Sequence, residues 1–262
     1  MQIEVRTFEE FFFGCGDGSS KLAFEMIKDH KFNIMVNYAA KTKPIPVNRN
    51  LLFVDSGGFS FFCREYDYNY DFEKYLQYVL RKDANYFAVP DYPCEPELLK
   101  RRNTTVEENQ NRTIENQLKI MELIDAQYPE LKKRLVCVVQ GWKVEDYFNM
   151  IEKLREQGLL TNLIGIGSIC RRNREKEIRR IILALRNNLS SKYKLHAFGV
   201  KFNVLRYKDV WESLYSADSC SYRYWISGPE KKERIKQNIL KWLRELENLK
   251  KLHYSQKTLL HY

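Results

Sequence analysis

The sequence predicts an α/β protein, a single (β/α)8 TIM barrel, and three observations carry that expectation. Short apolar runs alternate with amphipathic helical stretches along the chain. Eight such runs fit within 262 residues, close to the roughly 250 residues typical of a closed eight-unit barrel. Acids, amides and glycines stand at the carboxyl ends of those runs, where such barrels keep their chemistry. A doubly wound open sheet accommodates the same alternation, because periodicity alone does not show closure.

The first strand is expected over residues 2–7, followed by the loop Gly14-Cys-Gly-Asp-Gly18. Ser19 or Ser20 then caps a helix to about His30, with Leu22, Met26 and Ile27 on one face. Residues 33–38 form a second strand, and 41–50, with Pro44 and Pro46, a loop. Leu51 to Val54 are four apolar residues in a row, suited to a strand buried on both faces. This third strand delivers Asp55, then Ser56, Gly57, Gly58 and Phe59. Asp71 caps a helix whose Phe72, Tyr75, Leu76, Val79 and Leu80 share a face. A fourth strand, 86–90, ends at Asp91, and Thr105-Val-Glu-Glu108 reads as the capping box of a helix to about Tyr128. Strand five, 135–139, ends in Gln140-Gly141, and its helix, 144–157, stops at Gly158. Strand six, 163–166, has Gly165 and Gly167 at its end, before a helix burying Ile178, Ile181, Ile182 and Leu185. Strand seven spans 195–200, a short helix 209–216, and strand eight 218–222. Gly228-Pro229 opens a final helix, to about residue 250, with Ile235, Ile239, Trp242 and Leu246 inside. No repeat, low-complexity tract or linker divides residues 1–262, so one domain is expected.

Forty-four Lys and Arg against 34 Asp and Glu leave a formal net charge of +10, which points towards a polyanionic partner. No apolar run reaches the roughly 18 residues of a membrane span, and the start, Met1 to Arg6, lacks the pattern of a signal peptide. Cysteines 15, 63, 94, 137, 170 and 220 are scattered, without Cys-x-x-Cys or histidines at ligand spacing. Free thiols in a reducing cytoplasm are therefore expected, with no metal and no disulfide framework.

Asp55-Ser-Gly-Gly-Phe59, Pro90-Asp91, Val139-Gln-Gly141, Gly165-Ile-Gly167, Phe198-Gly-Val200 and Ala217-Asp218 occur in this order. The set resembles the ordered motifs of tRNA-guanine transglycosylases, over residues from about 50 to 225. The resemblance implies a TIM barrel that exchanges guanine for a 7-deazaguanine in a polynucleotide, without a cofactor. Two features depart from it. The cysteine-rich zinc insertion after the last strand is missing, since only Cys220 lies beyond Cys170, and Ser219-Cys-Ser-Tyr-Arg223 stands where those enzymes carry Pro-Thr-Arg. A short, zinc-free chain is more similar to the DpdA-type enzymes, which insert deazapurines into DNA. That makes DNA the expected partner, tRNA the alternative, and leaves a helper protein and the oligomeric state open.

The resemblance also assigns roles. Breaking an N-glycosidic bond builds oxocarbenium character at C1′, which one carboxylate can trap while a second manages the leaving group. By motif position Asp218 is the nucleophile and Asp55 the general acid/base. Asp91 would accept from N1–H and the exocyclic amine of guanine, an edge of donors. Gln140 would donate to O6. Gly141, Gly165, Gly167, Gly199, Ser56 and Gly57 would line the base, with Phe59 and Phe198 stacking on it. Turn or cap aspartates, packing glycines and core aromatics are the plainer readings of the same residues, and His196 reads as a satisfied core histidine rather than a catalyst.

Arg171, Arg172 and Arg174, extending to Lys176, Arg179 and Arg180, would meet phosphates near the mouth, with Lys201 and Arg223 as further candidates. The plainer reading is a solvated helix face. Competing functions are a tRNA transglycosylase, a catalytically silent nucleic-acid-binding barrel and an unrelated barrel hydrolase or lyase.

Overall fold

The computed structural model describes residues 8–64 and 71–258, without the side chains of 254–258. Eight parallel strands close into a barrel: β1 Glu10–Gly14, β2 Phe32–Asn37, β3 Arg49–Asp55, β4 Tyr86–Ala88, β5 Leu135–Val139, β6 Leu163–Ile166, β7 Lys194–Ala197 and β8 Ser216–Ser219. Closure is made by β1 against β8, which sets Phe12 opposite Asp218. The doubly wound alternative is thereby excluded. The helices are α1 Gly18–Glu25, α2 Gly58–Arg64, α3 Phe72–Arg81, α4 Pro96–Arg102, α5 Val106–Gln127, α6 Val144–Glu156, α7 Glu175–Asn188, α8 Lys208–Ser213 and α9 Lys231–Thr258.

Both strands at the seam differ from the sequence expectation. The strand expected over residues 2–7 lies outside the described residues, and the first barrel strand is β1, built on Phe11, Phe12 and Phe13. Its alternation explains three aromatics in a row. Phe12 points inward to Phe53 and Tyr86, while Phe11 and Phe13 face outward to Trp242 of α9. β8 starts two residues earlier than expected and ends at Ser219, because residues 221–223 leave the sheet as a 3-10 turn. There the Tyr222 hydroxyl donates to the Gly14 carbonyl at 3.0 Å. Asp218 is consequently the third residue of a strand rather than its first.

Elsewhere the elements follow local chemistry. Asp71 caps α3 through the Glu73 and Lys74 amides, and the Thr105–Glu108 capping box starts α5. Asp17, not Ser19 or Ser20, caps α1, accepting from the Ser20 amide at 2.8 Å. Helices α2 and α4, which the periodicity did not predict, sit in the exits of β3 and β4.

Helix α5 buries an amide-rich stripe, Asn109, Gln110, Thr113 and Asn116. Asn116 donates to the Pro90 carbonyl at 2.8 Å, Asn109 to that of Pro93 at 2.6 Å and Gln110 to that of Gln140 at 2.8 Å. Thr113 accepts from the Tyr92 amide at 2.9 Å. Exit loops expose backbone groups that no strand satisfies, and buried groups of that kind need partners. The stripe supplies them and so fixes the loops that carry Asp91 and Gln140.

Candidate active site

Three carboxylates arrive at the carboxyl ends of their strands, on one mouth of the barrel. Asp55 is the last residue of β3, Asp91 lies three residues beyond β4, and Asp218 is in β8. Asp55 accepts from the Gly57 amide at 3.2 Å. Gly57 has φ of +84°, and a β-carbon there would run into Ala39 and the Asn37 side chain. Only glycine suits that turn. Ser56 donates to Asp91 Oδ1 at 3.1 Å. Burial, reinforced by the neighbouring charges of Asp91 and Asp218, raises the Asp55 carboxyl to about 7. Burial raises Asp91 to about 6, against the hydrogen bonds from Ser56 and Gln140. An acid in that range both gives and takes a proton near neutrality.

Asp218 is buried and held by one of its two oxygens. Oδ1 accepts the Gly199 amide at 2.8 Å and lies 3.3 Å from His196 Nε2. The other ring nitrogen, His196 Nδ1, is 2.8 Å from Ser216 Oγ. His196 is fully buried among Phe12, Phe53 and Phe198, with ring centroids 4.6–6.1 Å away. It is satisfied, as expected of a core histidine, but one of its partners is the candidate nucleophile. Gly199, at φ +61°, sits where a β-carbon would come within 2.7 Å of Cys170.

Gln140 directs its amide nitrogen at Asp91 Oδ2, in a close contact, and its amide oxygen at Ser168 Oγ, 2.6 Å away. Two glycines expected to approach a base have another physical role here. A β-carbon on Gly167 would collide with the Gln140 amide, and one on Gly165 with the Phe198 ring. Gly141 similarly leaves room for Asp146 and Tyr147. Phe198 packs 5.6 Å from Phe53. Phe59 lies on α2 against the small cluster of Phe62, Tyr92 and Leu98, with the Arg171 guanidinium 4.7 Å over its ring.

The basic residues divide. Arg171, Arg174, Lys176 and Arg180 are exposed. Arg172 is turned inward, where it stacks 3.9 Å over Trp142 and donates to the carbonyls of Ser168 and Trp142. That leaves its guanidinium engaged inside the protein rather than displayed to a phosphate. Arg179 pairs with Asp209, Arg223 with Asp17 at 3.2 Å, and Lys201 donates to the Asn173 carbonyl at 2.8 Å. Among the described residues, no group of three or more His, Cys, Asp or Glu is placed to hold a metal ion, and no helix is long and apolar enough to cross a membrane.

Sequence reasoning missed Ser168 and Glu95. Ser168 Oγ contacts Glu95 Oε2 at 2.9 Å as well as Gln140, and accepts from the Cys94 amide at 2.8 Å. The available signal was a Ser directly after Gly165-Ile-Gly167 and a lone acid between Cys94 and Pro96. The buried amides of α5 were legible as polar residues at helical spacing where an apolar stripe was due.

A family described as DpdA, DeoxyPurine in DNA protein A, has a model that matches residues 35–244 of this chain. No curated protein matches it.

Proposed function

The chain belongs to the DpdA family, and on that premise we propose that it exchanges guanine in DNA for a 7-deazaguanine, through a covalent glycosyl-aspartate. The observation that carries the reading is the asymmetric hold on Asp218. Gly199 and His196 both engage Oδ1, so Oδ2 is the oxygen left to attack C1′.

In the first half-reaction Asp218 Oδ2 bonds to C1′ while the C1′–N9 bond breaks. The departing purine takes a proton from Asp55 and leaves as a neutral base. In the second, the incoming 7-deazaguanine gives its glycosylic N–H proton to Asp55 as that nitrogen attacks C1′. Asp218 departs as a carboxylate, and two inversions leave the configuration at C1′ retained. Asp55, raised by burial to about 7, suits both directions of transfer. Asp91 accepts from N1–H and the exocyclic amine, and Gln140 donates its second amide hydrogen to O6. Exposed Arg171 and Arg174 meet the phosphate backbone beside the mouth.

Exchange of labelled guanine, assayed on DNA and on tRNA with denaturing gels to trap the adduct, tests this. The wild type is expected to exchange the label in DNA. Asp218→Asn should lose exchange and adduct by several orders of magnitude while still binding DNA. Asp55→Asn should lose about 10²–10⁴-fold. Full exchange by the Asp218 variant removes its role. Exchange confined to tRNA changes the polymer, and DNA binding without exchange, with deazaguanines supplied, favours a silent binding barrel.

A further inference from the structure

Glu95 is a buried acid that this exchange does not use. It precedes α4, is 2% exposed, and reaches Ser168, which also contacts Gln140 and the Cys94 amide. A hydroxyl has one proton and two lone pairs. Counting protons along this chain sets the direction of every bond in it.

An ionised Asp91 requires the nitrogen of the Gln140 amide towards its Oδ2, which turns the amide oxygen towards Ser168. Ser168 must then donate its only proton to Gln140. Its lone pairs take the Cys94 amide and the Glu95 contact, and that contact is a hydrogen bond only where Glu95 is the donor. An ionised Glu95 would instead draw the Ser168 proton to itself and leave the Gln140 oxygen facing another oxygen. Ser168 is held in this position at φ +51°, a region that non-glycine residues seldom occupy.

We propose that Glu95 is a positioning residue for base recognition: it carries a proton, donates to Ser168, and through it locks the Gln140 amide with its N–H groups towards Asp91 and the purine O6, selecting 6-oxopurines over 6-aminopurines. The inference rests on the assignment of Asp91 and Gln140 to the base. Burial, with the charge of Asp91 adding to it, favours the protonated form. A Ser168 proton aimed at the carboxyl would oppose it but is committed to Gln140, which leaves a backbone hydrogen bond and the charge of Arg171 against it. The other titratable groups facing the carboxyl are Cys170, with Sγ 4.0 Å from Oε1, the adjoining Cys94, and Tyr147 of α6. The Tyr147 hydroxyl is itself committed to the Gly167 carbonyl at 2.8 Å.

The test compares wild type with Glu95→Gln, Glu95→Ala and Ser168→Ala between about pH 5.5 and 9. It reads KM for free guanine against kcat in exchange, competition by 2,6-diaminopurine, and guanine affinity by calorimetry. Glu95→Ala and Ser168→Ala should raise KM about 10-fold or more, with a smaller change in kcat, and weaken discrimination against diaminopurine. Glu95→Gln should restore recognition, since its amide nitrogen donates to Ser168 as a protonated acid does. The wild type should lose guanine affinity as pH rises through the Glu95 titration, and Glu95→Gln should lack that loss.

Superimposable pH profiles for wild type and Glu95→Gln, or a Glu95→Gln as impaired as Glu95→Ala, overturn the proposal. Should Glu95→Ala fail to fold, Glu95→Gln and Ser168→Ala still decide it. Guanine binding by a wild type that exchanges nothing would sink the exchange reading alone and leave the calorimetric arm to judge the relay. Absence of guanine binding overturns both.

Discussion

His196 shows at the scale of one residue what a side chain's neighbours add to its identity. Its burial and its aromatic surroundings are those of a core residue. The contact of Nε2 with Asp218 makes it, in addition, a support for the carboxylate proposed as the nucleophile. Nothing in the local sequence Leu195-His-Ala-Phe198 announces this, because the partner lies 22 residues away in the next strand. Asp55 and Asp91 were legible for the opposite reason: each follows an apolar run, so strand position alone puts it at the mouth. Asp218 was legible only through the resemblance that its motif carries. Replacing His196 by Phe should preserve the aromatic packing and strip Asp218 of one donor. A buried hydrogen bond to a charged group contributes about 1.5–3 kcal/mol, so adduct formation is expected to fall roughly 10–150-fold. DNA affinity should stay near wild type. A Phe variant with undiminished single-turnover adduct formation would show that Gly199 alone holds the carboxylate.

Among the elements, β1, α2 and α4 went unread, whereas β8 and α5 were read in part. Ser216-Ala-Asp-Ser219 has almost none of the β-branched or aromatic character of a strand. It is a strand because β1 and β7 pair with it on both sides. Register of this kind is a tertiary fact, and it shifted the expected boundary by two residues. The six middle strands were legible because their apolar runs stand between turn residues, with ends correct to within a few positions. In α5 the capping box was plain, but its amide stripe makes sense only once the exit loops lie beneath it. Asn116→Leu should keep the helix and leave the buried Pro90 carbonyl without its donor. The expected cost is about 1–3 kcal/mol by chemical denaturation, together with a raised KM for guanine as Asp91 loses its fixed loop. An unchanged stability and KM would mean that the loop holds itself.

For the molecule as a whole, charge and burial act on different observables. The net charge of +10 is spread over a surface in which several cations are already paired. Exposed Arg171 and Arg174 flank the mouth, so each should contribute to DNA binding through counterion release. Arg171→Ala and Arg174→Ala are expected to lower the slope of log affinity against log salt by about 1 apiece. Arg172→Ala should leave that slope unchanged and lower stability, because its guanidinium is spent on Trp142 and on two backbone carbonyls. Burial of the acids has a cost that pH reveals. Asp55 rises from 3.8 to about 7 and Asp91 from 3.8 to about 6 on folding. Below the unfolded value both are neutral in either state, and their contribution to stability is fully present. As pH climbs, the unfolded chain ionises freely while the folded one resists, so stability declines until pH has passed about 7 for Asp55. Asp55→Asn keeps an acceptor for the Gly57 amide and removes the buried ionisation. It should therefore melt within a degree or so of wild type near pH 4 and several degrees higher at pH 8, at roughly 2–4 °C per kcal/mol recovered. Melting curves at the two pH values check this, and a variant no more stable than wild type at pH 8 would show that the Asp55 carboxyl ionises without strain at the mouth. A gain confined to high pH would identify Asp55 as a group kept at the expense of the fold, as expected of an acid whose proton the chemistry needs.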